Sequence, residues 1–179
     1  MRVTLPIAVA LLLLAAGCDR GGVDAEGREG PSGFPVPRYV SLRFDTVNAR
    51  AGPSENHRVV WTYRTRGLPV QVIAETPDWR RICDPDGGVA WVHKRTTDGR
   101  RTALRQSTEQ LSLLADPRQG SEVRAVLQGR SVSTLDRCRD GWCLLRAGEG
   151  SGWAPASAVW GSAPGVRCLM PDQRAASPR

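Results

Sequence analysis

The chain has 179 residues, 40% of them hydrophobic and 24% charged, which excludes wholesale disorder and allows one medium domain or two small ones. Its formal charge is +7, and Lys94 is the one lysine among 25 cationic residues. The arginines are spread along the chain rather than clustered, which argues against a nucleic-acid partner.

The first element is an address. Met1 and Arg2 give a short positive start, and Leu5 to Ala16 form an apolar run too short to span a bilayer. Ala15, Ala16 and Gly17 are the small residues that a signal peptidase needs, so residues 1–17 are expected to be a cleaved signal peptide. LLAAGC resembles the lipobox of bacterial lipoproteins. That resemblance implies acylation of Cys18 and a periplasmic protein that meets the membrane through a lipid anchor only. Plain secretion is the alternative. Residues 18–38 are rich in Gly and Pro and read as a flexible linker. Residues 163–179 read as a polar C-terminal tail.

Between linker and tail lies a duplication. Pro53 and Pro117, Gly67 and Gly129, Trp79 and Trp142, and Trp91 and Trp153 stand at a near-constant spacing of 62 to 64 residues. The spacing divides the chain into domains at 39–102 and 103–162. Within the first, Val70, Val72 and Ala74 alternate with Pro69, Gln71 and Ile73, TPD makes a turn before WRRIC, and Gly87-Gly88 makes another before VAWV. Within the second, VSTL leads to CRDGWC, LLRA, a GEGSG turn and WAPA. Short strands separated by Gly and Pro turns predict an all-β fold of two small barrels or sandwiches.

Asp140-Gly141 is a strong two-residue hairpin signal. With those two in the turn, Arg139 faces Trp142 and Cys138 faces Cys143, close enough for a disulfide. The 63-residue offset maps that pair onto Glu75 and Arg80, opposite charges in the place of two sulfurs. Export supports the bond, because disulfides persist in oxidising compartments and four cysteines remain once Cys18 is set aside. Whether Cys83 pairs with Cys168 stays open. No C-x-x-C occurs and His57 and His93 lack ligand spacing, so no metal is expected.

NARAGPS at 48–54, followed by GLPVQVI, DWRRI and GVAWV, resembles the bacterial SH3-like domains found in tandem in exported proteins. DGWCLLRAGEGSGWAPASAV resembles the later half of the same barrel. The resemblance implies two five-stranded β-barrels with a binding or scaffolding role. It also implies that the first tryptophan of each unit borders a ligand groove, making Trp79 and Trp142 candidate contact residues, with Pro155 beside Trp142. The competing reading of both tryptophans is partly buried core. Ala158 stands where such barrels carry a tyrosine, so a proline-rich peptide is not the expected ligand.

Catalysis finds little support. Asp84 and Asp86 flank Pro85 and read as turn formers, and no G-x-S-x-G, H-E-x-x-H or phosphate-cradling loop occurs. The expected function is a non-catalytic, cofactor-free cell-envelope module that contacts peptidoglycan or a wall-associated protein. The alternative is a structural partner of another envelope protein that touches no glycan.

Overall fold

The computed structural model describes residues 28–162 and Cys168. The signal segment, Cys18 and the rest of the tail lie outside the described residues. Strands β1 (Arg28–Glu29) and β2 (Pro35–Val36) form a short hairpin. The first module follows with β3 (Arg38–Leu42), β4 (Val47–Arg50), β5 (Val59–Tyr63), β6 (Pro69–Glu75), β7 (Trp79–Cys83), β8 (Val89–His93) and β9 (Thr97–Asp98). The second has β10 (Thr102–Leu104), β11 (Leu111–Leu114), β12 (Val123–Leu127), β13 (Val132–Arg139), β14 (Trp142–Ala147) and β15 (Gly150–Pro155). A single 3-10 turn follows β8 (Lys94–Thr96) and another follows β15 (Ala156–Ala158).

The two antiparallel ladders run β5-β4-β8-β7-β6-β3-β9 and β10-β13-β14-β15-β11-β12. They hold seven and six strands where the family resemblance implied five, and neither closes into a continuous hydrogen-bonded ring among the described residues. The duplication is visible bond by bond. Arg50 pairs with Trp91 as Leu114 pairs with Trp153, and Leu42 pairs with Thr97 as Leu104 bridges Trp160. The long central strand slips register at matching places, Val72/Ala74 and Leu135/Arg137. Such a bulge bends a small sheet back on itself.

Alternation builds each core. Val70 and Val72 of β6, Ile82 of β7 and Val92 of β8 are fully buried and pack with Leu42 and Val47. Leu113, Leu127, Cys143, Leu145 and Ala154 do the same in the second module. The period-2 pattern leaves the intervening side chains on the outer face.

Residues 28–38 depart from the linker reading. Val36 is buried and joins the first core, the Ser32 hydroxyl donates to Glu75 Oε2 at 2.6 Å, and Arg38 pairs with Glu75. Gly and Pro here build a turn, with Gly33 at φ 74°, rather than a tether. The anchoring partner lies about 40 residues along the chain, out of reach of a local composition argument.

The modules meet along a polar and aromatic seam. Thr102 Oγ1 donates to the Gly67 carbonyl at 2.7 Å, and Trp160 Nε1 donates to the Pro69 carbonyl at 3.1 Å. Tyr39 meets the Trp160 ring edge-on at 5.5 Å. A disulfide joins Cys83 to Cys168, tying the chain beyond the second module back to the first.

Candidate functional site

The site grows from one hairpin. Asp140 and Gly141 sit at φ 48° and 78°, the left-handed pair that a tight two-residue turn requires. That turn sets Arg139 opposite Trp142 and Cys138 opposite Cys143, and β15 then sets Pro155 opposite Trp142 and Trp153 opposite Leu144. Cys143 and Leu145 point into the core, so Trp142 and Leu144 between them share the outer face with Arg137, Arg139 and Pro155.

Trp142 and Pro155 are half-buried cross-strand neighbours. Beside them the guanidinium carbons of Arg139 and Arg137 stand 4.7 and 5.4 Å from the centre of the Trp153 ring. The stacked indole holds both charges in place while its own exposure falls to 6%. The Cys138–Cys143 disulfide closes the hairpin end beside Trp142, its Cα atoms 4.0 Å apart. The Ala156 amide donates to the Gly141 carbonyl at 2.8 Å and fixes the 3-10 turn against the same end.

The first module carries the same positions with different chemistry. His93 takes the place of Pro155, and its ring meets Trp79 edge-on at 5.2 Å. Lys94 closes over the turn: its amide donates to the Asp78 carbonyl at 2.8 Å, and its ammonium lies 2.9 Å from Asp78 Oδ1. Trp79 is 9% exposed. Of the two candidate tryptophans, Trp79 is buried and Trp142 is half-buried. His93 Nδ1 accepts from the Arg95 amide at 3.2 Å, and burial and the Arg95 charge push the imidazole below its ordinary value.

Two carboxylates outside this face are absorbed by structure. Asp84 accepts through Oδ1 from the amides of Asp86 and Gly88 and through Oδ2 from the Tyr63 hydroxyl, which is the turn-forming role expected of it. Burial and the Asp84 charge push the Tyr63 phenol far up. Glu75, its side chain 2% exposed, is held between Arg38 and Arg80. Burial opposes its charge, but bonds from Arg38 and Ser32 and the charges of Arg38 and Arg80 outweigh it and hold the carboxyl below its usual range. Among the described residues no three His, Cys, Asp or Glu side chains gather as a metal site would require.

The family model described as the bacterial SH3 domain matches residues 44–99 and again 107–161, together more than half of the chain. The chain belongs to the bacterial SH3 domain family. No curated protein matches it. Among solved structures it is similar to NlpC2 from Trichomonas vaginalis, with 14% identity and a TM-score of 0.33, covering 69% of this chain and 48% of that one. NlpC1 from the same organism gives 14% identity and a TM-score of 0.32, covering 70% and 46%. The chain spans about half the length of either. Within the SH3 modules, Arg137 and Arg139 are the residues that the sequence reading missed. The Asp140-Gly141 register already places Arg139 across from Trp142, and Arg137 two residues earlier on the same face.

Proposed function

We propose that this protein is a non-catalytic, exported binding protein of the cell envelope, whose second SH3 module holds peptidoglycan or a protein attached to it. The carrying observation is the half-buried Trp142–Pro155 pair flanked by two guanidiniums stacked on Trp153. A half-buried indole can offer a flat apolar face to a sugar ring or peptide at little entropic cost. Arg137 and Arg139 supply charge for the carboxylates of the wall's stem peptides. Bacterial SH3 domains are often cell-wall binding modules, which supports the same reading. The apolar run ahead of Cys18 supports periplasmic placement, with acylation of Cys18 anchoring the protein to a membrane.

Sedimentation with insoluble peptidoglycan at low and moderate salt tests the binding. The wild type is expected to pellet at both, and Trp142→Ala is expected to bind at least about tenfold more weakly. Attraction by charge alone would collapse as salt rises through the screening range. Wild type left in the supernatant at both salts overturns the reading. Labelling with an azido-fatty acid tests the anchor, with loss of label expected in Cys18→Ala.

A further inference from the structure

We propose a second site, at the seam between the modules, that takes a phosphate-type oxyanion. A cleft of about 130 Å³ opens there, away from the Trp142 face. Three arginines line it from separate segments: Arg43 just after β3, Arg66 in the connection between β5 and β6, and Arg100 in the connection between the modules. Thr134 of β13 brings an exposed hydroxyl from the second module.

The floor of the cleft positions and its rim recognises. Ser41 and Thr102 are 2% and 7% exposed, and their hydroxyl oxygens lie 2.9 Å apart. Ser41 Oγ donates to the Arg100 carbonyl and Thr102 Oγ1 to the Gly67 carbonyl. These bonds spend the hydroxyl protons on backbone, so the floor offers an anion little. They do pin the two segments that carry Arg66 and Arg100.

Recognition therefore falls to the guanidiniums. Asp98 is the carboxylate in the lining; it accepts from the Arg100 amide at 2.9 Å and stands 3.6 Å from the Arg100 guanidinium. Arg43 lies over the Phe44 ring at 5.7 Å, which orients its charge without neutralising it. Among the described residues no carboxylate forms an ion pair with Arg43 or Arg66. Three cations against one anion leave an excess of two positive charges, which a dianion balances. Arginines on separate segments around one cleft suit a tetrahedral group with an oxygen for each, better than a planar carboxylate that one arginine can engage in full. The bound anion would touch both modules and stiffen the seam.

Titration of the full mature protein with inorganic phosphate, followed by amide NMR against chloride at matched ionic strength, tests the site. Saturable shifts are expected at residues 41–43, 66–67, 98–102 and 132–134. The double variant Arg66→Gln/Arg100→Gln, and separately Arg43→Gln, should weaken binding at least about tenfold with the spectrum otherwise intact. Arg137→Gln/Arg139→Gln should leave it unchanged, which separates this site from the Trp142 face. Flotation of the Cys18→Ala protein, which lacks the acyl chain, with phosphatidylcholine vesicles containing phosphatidic acid, and not with phosphatidylcholine alone, would make the source a lipid headgroup. Phosphate binding without flotation would make it a soluble anion. Absence of saturable shifts beyond those with chloride, or equal affinity in all the arginine variants, overturns the proposal.

Discussion

The two modules share a register and differ in what they place on it. At the end of the central hairpin the first sets Glu75 against Arg80, while the second sets Cys138 against Cys143. Next to that pair, Trp79 is buried against His93, whereas Trp142 lies half-buried beside Pro155. The backbone bond beneath is the same in both, from Lys94 to Asp78 and from Ala156 to Gly141. The difference teaches that the barrel requires a cross-strand tie and a tryptophan at these places but does not dictate their chemistry. One copy buries the tryptophan, and the other leaves it half-buried.

The sharpest way to break this comparison is to truncate both indoles. Trp79→Ala should cost about 4 kcal/mol in urea denaturation, as removal of a buried tryptophan does, and Trp142→Ala less than half as much. Equal costs would erase the asymmetry.

Next in size is the ionic tie. Glu75→Gln leaves Arg38 and Arg80 partly buried without their carboxylate and should cost about 3 kcal/mol at pH 7. The folded Glu75 carboxyl titrates below its unfolded value of about 4.3, so its stabilisation is complete above that pH and is lost as pH falls through the folded value. Wild type should therefore lose stability as pH falls below about 4.3 that Glu75→Gln does not lose, as thermal melts across the acid range would show.

The covalent tie is smaller and answers to a different variable. Replacing Cys138 and Cys143 by Ser opens a six-residue loop and should cost about 2 kcal/mol. The loss should be insensitive to pH in the acid range, and reductant should cost more than these substitutions because it also opens Cys83–Cys168. The smallest effect is at the clamp. Lys94→Ala removes an exposed ion pair and should barely move the melting temperature, yet acrylamide should quench Trp79 fluorescence more readily.

Much of this was legible in the sequence, for local reasons. The Asp140-Gly141 turn chemistry specifies its hairpin, and the hairpin specifies Trp142 against Arg139 and Cys138 against Cys143. The offset of the repeat then places Glu75 against Arg80. Whether Trp79 is core or contact was left open in the sequence, because it depends on His93 from the next strand. The hairpin at residues 28–36 was hidden for the same reason, its anchor being Glu75. The seam arginines 43, 66 and 100 are unremarkable in a chain full of arginine until the two modules pack.

The central claim is that the binding face belongs to the second module and not the first. Indole NMR of the protein with its six tryptophans, titrated with soluble peptidoglycan fragments, tests it most directly. The Trp142 indole signal, identified by its loss in Trp142→Phe, should shift saturably while that of Trp79 stays in place. Movement of Trp79 with Trp142 unmoved, or no movement of either at saturating fragment, would contradict the account.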